Sequence, residues 1–253
     1  MTFKHFLKKV TIFLPVILVH VLKKNFSKKI DYSSIPENFD INNIGYLNTS
    51  NPFKIELKKF AFYGGSGFDS KNFLVRYYSE GKVSLESYYQ KFQPINIFEA
   101  HNIKHKSLDS SHIFHLPWEL NPENFKGSKF LHSSHGRTEF GPVSEKKIKL
   151  EIIRLNKIRK SIEKRGYFPD AYQYIRGYFL IDDISNDWRF FVTTGRHRSA
   201  FLAYENFNKN LLCKFTDSFR EIKLSQIHNW PGVKNRLFTK EEAEMIFQSY
   251  FKN

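Results

Sequence analysis

The stretch WRFFVTTGRHRSAFLAYENF, at positions 188–207, joins two different sequence patterns. Its first half is aromatic and β-branched, which is typical of a strand. Its second half has apolar and aromatic residues at the spacing of one helix face, namely Ala200, Ala203, Tyr204 and Phe207. The stretch therefore predicts a strand over 189–193, a turn at Thr194 and Gly195, and a helix that begins at Arg196.

The predicted turn concentrates positive charge at the point where the helix begins. A helix N-terminus already carries a partial positive charge, so each bare cation there costs a few tenths to about 1 kcal/mol. A bound anion removes that cost, because the free N–H groups and the planar arginine fork both suit a phosphate. The pattern predicts a phosphate site formed by Thr194, Gly195, Arg196, His197, Arg198 and Ser199. A solvent-exposed basic turn is the alternative interpretation.

The segments around this stretch predict an α+β fold with a small mixed sheet and flanking helices. Ser144 is a good N-cap for a helix that runs to Gly166. The apolar stripe of this helix consists of Ile148, Ile152, Leu155, Ile158 and Ile162, and lysines crowd its opposite face. Strands are predicted near 177–181 and at NLLCKF, and Thr239 caps a terminal helix whose inner stripe consists of Ala243, Ile246, Phe247 and Tyr250.

The region 31–135 shows fewer diagnostic patterns. It begins with a polar, turn-rich linker, followed by a predicted strand, a glycine-rich turn and an amphipathic helix at SLESYYQKF. The turn YGGSGF lacks the lysine and the Ser/Thr that follow the last glycine of a nucleotide P-loop, so a plain turn is the better interpretation. The sequence assigns no role to this region.

Composition limits the class of protein and of partner. The net charge is +15 and the pI is about 9.7. This charge favours a polyanionic partner such as nucleic acid, nucleotide phosphates, anionic lipid or an acidic glycan, although a lysine-rich proteome gives the same balance. The lone Cys213 excludes an internal disulfide and a cysteine-based zinc cluster, which indicates a reducing, cytoplasmic setting.

The first thirty residues carry seven lysines and no acidic residue. Their apolar run, 10–22, would reach roughly 20 Å as a helix, too short for a hydrocarbon core of roughly 30 Å. We expect residues 1–30 to lie in the plane of an anionic membrane surface, with a buried N-terminal helix as the alternative. The expected location is therefore cytoplasmic and peripheral at the inner membrane.

Histidines cluster between positions 101 and 135, which hold six of the ten. His101 and His105 stand four residues apart, the spacing at which a helix presents two imidazoles to one metal ion. No acidic third ligand is spaced beside them, and Lys104 and Lys106 would repel a cation. We therefore predict no metal site of this kind. The neighbouring segments LPWEL and HGRTEFGPVSEKK have the composition of binding loops.

Three segments in order resemble the ParB/sulfiredoxin-like superfamily: SIEKRGYFP at 161–169, then GYFLI, then VTTGRHRSAFLAY. The resemblance covers roughly 140–215 and implies a ParB/sulfiredoxin-like core in the C-terminal half. It implies that Gly195, Arg196, His197 and Arg198 hold nucleotide phosphates. Arg196 occupies the place of the reactive cysteine of sulfiredoxins, so reduction of oxidised peroxiredoxin is not expected. The residues after Phe215 are fewer than we expect for the DNA-reading module of partition proteins, so a partitioning function is not expected either.

The free serine kinases of this superfamily are the more similar members, and they use a glutamate near the start of the preceding helix as a general base. Glu139, Glu145 and Glu151 are the candidates, and Glu145 is chosen because it follows a proline at a helix start. Glu145 and His197 are thus the expected catalytic residues, with ATP or CTP and Mg²⁺ as cofactors. The expected function is phosphoryl transfer to a hydroxyl, for example of a sugar or glycan near the membrane.

Two other functions stay open at this point. The first is a ParB-like nucleic-acid-binding protein or nuclease, which the positive charge favours although no base-reading module is visible. The second is a nucleotide-sensing adaptor without turnover. The expected organisation is a membrane-associating segment at 1–30, an α+β region at 31–135 and the ParB/sulfiredoxin-like domain at 136–253. The oligomeric state is not predicted.

Overall fold

A computed structural model of the chain describes residues 35–36, 39–47, 50–104, 114–119, 131–169, 173–206, 210–217 and 219–252. The predicted membrane-associating segment, 1–30, lies outside these residues. Residues Pro36–Asn253 form one compact unit. Among the described residues, no helix is long and apolar enough to cross a membrane.

The described residues form seven α-helices and six strands. The helices are α1 (Phe73–Glu80), α2 (Lys82–Lys91), α3 (Ile97–Ala100), α4 (Glu145–Arg165), α5 (Arg196–Tyr204), α6 (Pro231–Lys234) and α7 (Lys240–Gln248). The strands are β1 (Phe53–Ile55), β2 (Phe60–Ala61), β3 (Ile175–Asp182), β4 (Asp187–Thr194), β5 (Leu211–Phe215) and β6 (Glu221–Lys223). The predicted α+β class is confirmed.

The six strands form one mixed sheet in the order β1-β5-β3-β4-β2, with β6 also paired to β3. The central β3 and β4 are antiparallel, and Phe179 faces Phe190 across the pair. β5 and β6 run parallel to β3 beside its first and second halves. The edge strands β1 and β2 come from the predicted region 31–135, so both predicted regions contribute to one sheet.

Alternating side chains of β3 and β4 divide the core into two layers. Phe179 and Phe190 point to the layer that packs against α1, α2, α4 and α5. Tyr178, Leu180 and Phe191 point to the other layer, which contains Trp118, Trp230 and the apolar face of α7. Because the sheet is covered on both faces, its central strand β3 is nearly continuously buried. The turn after β4 therefore opens into the α4 and α5 layer.

The caps that the sequence predicts are present at both long helices. Ser144 accepts a hydrogen bond from the backbone N–H of Lys147, and Gly166 ends α4 with a φ of 71°. Thr239 and Glu242 form a capping box at the start of α7, whose buried face includes Ala243, Ile246 and Phe247. Both helices thus begin where the sequence predicts.

Candidate functional site

The turn between β4 and α5 requires a glycine. Gly195 is the N-cap of α5 and has a φ of 100°, a conformation that other residues rarely adopt. A Cβ atom there would lie 3.0 Å from both Ile175 Cγ1 and Arg198 Nη2. The Gly195 carbonyl accepts the N–H groups of Arg198 and Ser199, at 2.9 and 3.0 Å, which starts the helix. The predicted turn and helix start are thus confirmed.

Arg198 holds this turn against the start of β3. Its guanidinium is buried and donates hydrogen bonds to the backbone carbonyls of Gln173 and Tyr174, the latter at 3.3 Å. These carbonyls precede β3, and a guanidinium satisfies two acceptors at once because of its fork geometry. The described contacts of Arg198 therefore tie α5 to the sheet.

Arg196 points to a different acceptor. Its Nη1 donates to Glu139 Oε1, and its guanidinium lies 5.5 Å from the centre of the Phe62 ring. Burial opposes ionisation of Glu139, but the Arg196 charge and hydrogen bond outweigh it and lower the pKa of Glu139. The sequence pattern predicts that Arg196 and Arg198 bind one anion together, but in the structure they donate to different acceptors. Phosphate binding stays a prediction.

Two tyrosines of α2 hold the loop that carries Glu139 in place. The Tyr88 hydroxyl donates to the Glu139 carbonyl at 2.7 Å, and the Tyr89 hydroxyl donates to the Thr138 carbonyl at 2.9 Å. Gly141 allows this approach, since a Cβ there would lie 1.9 Å from the Tyr89 carbonyl oxygen. The segment that the sequence marks as a binding loop is therefore placed beside the start of α5.

His197 and Glu151 form a close polar pair of the site. His197 Nε2 lies 2.6 Å from Glu151 Oε2. The side chain of Glu151 is 0% exposed, whereas that of His197 is 18% exposed. The other oxygen, Oε1, accepts from Arg154 at 2.8 Å and lies 3.6 Å from Lys147 Nζ. Glu151 is thus an interior carboxylate that three donors from α4 and α5 surround.

The charges of this cluster fix the protonation of His197. Burial raises the pKa of Glu151, but the His197 hydrogen bond and the charges of Lys147 and Arg154 outweigh it, so the carboxyl stays ionised. An ionised carboxylate can only accept, so Nε2 of His197 carries the proton. Burial, with Arg196 and Arg154, lowers the pKa of His197 despite Glu151. Neutral His197 therefore has its lone pair on Nδ1.

We call the His197 cluster the group of Glu139, Lys147, Glu151, Arg154, Arg196 and His197. It combines two carboxylates with Lys147, Arg154 and Arg196, so it is net positive when these three side chains are protonated and His197 is neutral. Burial lowers the pKa of Lys147, and the Glu151 charge opposes that shift. Among the described residues, Nδ1 of His197 has no hydrogen-bond partner. Perturbed acids and bases of this kind concentrate at functional sites. The cluster has the elements of an acid and base centre in a positive environment.

The other predicted site residues lie outside the cluster. Glu145 is 78% exposed and pairs with Lys149 at 2.7 Å on the surface of α4. Thr194 is exposed at the end of β4. Ser199 is buried and its hydroxyl donates to the Gly195 carbonyl at 3.3 Å. Of the three candidate glutamates, Glu139 and Glu151 therefore reach the turn.

The sequence interpretation missed Lys147 and Arg154 as site residues. Both lie on the face of α4 that packs into the protein, together with the fully buried Leu155. Their spacing of four and three residues from Glu151 puts all three charges on that face. The sequence did contain a signal for these residues. Their charged side chains occupy the inner face of an amphipathic helix, where residues are normally apolar.

A second polar group adjoins the cluster through the loop that carries Glu139. Arg137 lies 5.0 Å from the Phe114 ring centre and 5.7 Å from that of Phe140. The Tyr63 hydroxyl donates to the Phe114 carbonyl at 2.7 Å. Burial raises the pKa of Glu119, which Arg137 partly offsets. The loops at 114–119 and 135–141 thus extend the charged region away from α5.

The histidine pattern at 101–105 has a structural role in its described part. His101 Nδ1 lies 2.7 Å from Ser249 Oγ, and the ring is buried against Tyr63 and Tyr250. His105 lies outside the described residues. Within the described ranges, no group of three or more histidine, cysteine or acidic residues has the arrangement of a metal site.

Three cavities of the described part lie away from the cluster. They measure about 250, 420 and 440 Å³ and are lined by residues around Trp188, around Lys214 and along the exposed face of α4. Comparison with protein-family models, curated proteins and solved structures found no match to this chain.

Proposed function

We propose that this protein is a nucleotide-dependent phosphotransferase and that the His197 cluster is its centre. The observation that carries the proposal is the 2.6 Å contact between His197 and the buried Glu151, within a ring of three cations. A carboxylate that orients a histidine is a recurring acid and base arrangement. Positive charge around it suits a phosphoryl group.

His197 is the base in this proposal, in place of Glu145. Its Nδ1 takes the proton of the acceptor hydroxyl, and Glu151 stabilises the imidazolium that forms. The hydroxyl oxygen bonds to the γ-phosphorus of the nucleotide, and the bond from that phosphorus to the bridging oxygen breaks, which releases the nucleoside diphosphate. This proton transfer contributes typically 10²- to 10⁴-fold to a rate.

The nucleotide phosphates would be held at the start of α5. Among the described residues, no side chain caps this end of the helix, so its first N–H groups point toward the turn. Arg196 has five N–H donors, and its described hydrogen bond to Glu139 uses Nη1. Arg154 adds a second charge, whereas Arg198 serves to hold the turn.

A Mg²⁺ ion would enter this site with the nucleotide. Both oxygens of Glu151 face protein cations or His197, and Glu139 is paired with Arg196. Magnesium commonly binds through substrate phosphates and keeps several waters, which fits a site with few available carboxylates. The ion would supply charge neutralisation on the phosphates.

The resemblance to the ParB/sulfiredoxin-like superfamily supports the same proposal. It implies the order helix, two strands, glycine turn, helix. The described elements α4, β3, β4 and α5 follow one another in that order. Nucleotide binding at the turn is common to the free serine kinases that this part of the sequence resembles.

A thermal-shift panel of ATP, ADP, CTP and GTP with Mg²⁺ tests nucleotide binding. A ligand that binds only the folded state at a hundredfold excess over Kd adds about 2.7 kcal/mol, or about 5–10 °C for a chain of this size. We expect at least one triphosphate to give such a shift. Arg196→Lys should reduce it, because lysine keeps the charge and loses the fork.

The matched control is Arg76→Lys, which alters an exposed arginine paired with Glu80 on α1. This variant should retain the full nucleotide shift. No shift with any of the four nucleotides, or equal shifts in both arginine variants, would count against the proposed site.

A further inference from the structure

The exposed face of α4 carries a row of lysines. The basic stripe consists of Lys146, Lys149, Lys157, Lys160 and Lys164, all exposed. At 3.6 residues per turn these positions fall within one narrow sector of the helix surface. The stripe covers about 27 Å along the helix axis at 1.5 Å per residue. It is therefore an extended linear charge and not a compact pocket.

Most of this charge is not neutralised within the protein. Lys149 pairs with Glu145 at 2.7 Å. In the part of the chain that the structure describes, Lys146, Lys157, Lys160 and Lys164 form no salt bridge. Lys157, Lys160 and Lys164 lie within two turns of one another and repel, so an extended anionic surface is complementary to this face.

One apolar side chain is exposed on the same face, and a second is exposed just beyond the end of the helix. Ile153 lies in the middle of the stripe and is 62% exposed. Phe168, just beyond the helix end at Gly166, is 58% exposed. Lysine with interspersed apolar residues is typical of helices that lie on anionic lipid, whereas nucleic-acid sites favour arginine for phosphates and bases. The composition of the stripe therefore favours a lipid surface.

We propose that the basic stripe of α4 docks on an anionic lipid bilayer. The lysines lie over the headgroups, and Ile153 enters the boundary between headgroups and acyl chains. Lys160 and Glu151 differ by nine residues, about 180° around the helix, so docking leaves the His197 cluster on the far side of α4. The cluster then lies about one helix diameter, roughly 10–12 Å, above the surface. This docking is independent of the proposed transfer reaction.

Vesicle co-sedimentation of the full chain tests the docking surface. The probes are phosphatidylcholine vesicles with and without about 30% phosphatidylserine, a content that gives the strongly negative surface potential to which lysines respond. The stripe variant is Lys157→Glu with Lys160→Glu and Lys164→Glu. The control variant is Lys71→Glu with Lys91→Glu and Lys240→Glu, three exposed lysines on other elements. Both variants change the net charge equally, and circular dichroism verifies that both fold.

We expect the stripe variant to bind phosphatidylserine vesicles at least about tenfold more weakly than the control, since each lysine near the surface contributes to binding. Ile153→Asn should also weaken binding, and wild type should not bind neutral vesicles comparably. Equal vesicle binding by the two triple variants would overturn the proposal. A stripe variant that keeps vesicle binding but loses binding to a labelled DNA duplex would also overturn the proposal.

Discussion

Glu151→Gln is expected to lower the free energy of unfolding by about 3–5 kcal/mol at neutral pH. The substitution keeps the shape of the side chain and removes its charge. Lys147 is then left as a buried cation without its carboxylate, because its side chain is 2% exposed and Glu151 is its ion-pair partner. Urea unfolding followed by tryptophan fluorescence measures the loss.

The matched control is Glu145→Gln on the same helix. Its partner Lys149 is exposed, and such surface pairs contribute at most about 1 kcal/mol. Lys147→Met in the Glu151→Gln background should recover part of the stability, since it removes the unpaired buried charge. Equal stability of the two glutamine variants would contradict the placement of Glu151 in the interior.

The effect of Glu151→Gln on stability should depend on pH in a defined direction. The pKa of Glu151 is lowered in the folded protein from its ordinary value of 4.5. Its stabilising contribution is therefore present above pH 4.5 and is lost as the pH falls through the lower folded-state pKa. The difference between wild type and Glu151→Gln should shrink in that acidic range.

His197→Gln is expected to reduce the rate of phosphoryl transfer by about 10²- to 10⁴-fold, since it removes the proposed base. The glutamine amide can place a donor where Nε2 of His197 contacts Glu151, so we expect nucleotide affinity close to that of wild type. Release of nucleoside diphosphate, with free serine, hexoses or water as acceptors, measures the rate. A variant that turns over as fast as wild type would exclude His197 as the base.

The same assay gives a pH profile with a fixed sign. Protonated His197 cannot accept a proton, so the rate should fall as the pH decreases through its pKa. That pKa is lowered below 6.5, so the acidic limb should lie below pH 6.5. Glu151 raises the His197 pKa, and Glu151→Gln should therefore move the acidic limb to lower pH.

The elements around the turn were predictable from the sequence because their signals are local. Ser144 and Gly166 specify the ends of α4, and the change from aromatic alternation to helical spacing at Gly195 specifies β4 and α5. The two-layer core was not predictable in detail. β1 and β2 join the sheet from far upstream, and no local pattern encodes such pairing.

The partners of the charged residues were also beyond local reasoning. Arg196 and Arg198 are two residues apart, yet one reaches Glu139 and the other reaches carbonyls before β3. Helical geometry separates their directions by about 200°, which the residue types alone do not indicate. Glu145 has the sequence position expected of a helix start, but its side chain is exposed, whereas Glu151 is buried beside His197. The sequence alone does not indicate which of the two glutamates is buried.

The protonation state of His197 tests the proposed acid and base centre most directly. Long-range ¹H–¹⁵N NMR spectra, assigned by comparison with His197→Gln, report the tautomer and pKa of this ring. We expect the proton on Nε2, a titration midpoint below pH 6.5, and a change in the Nδ1 shift when a Mg²⁺ nucleotide binds. A proton on Nδ1, or a ring that titrates at or above pH 6.5 and does not respond to any nucleotide, would contradict the proposal.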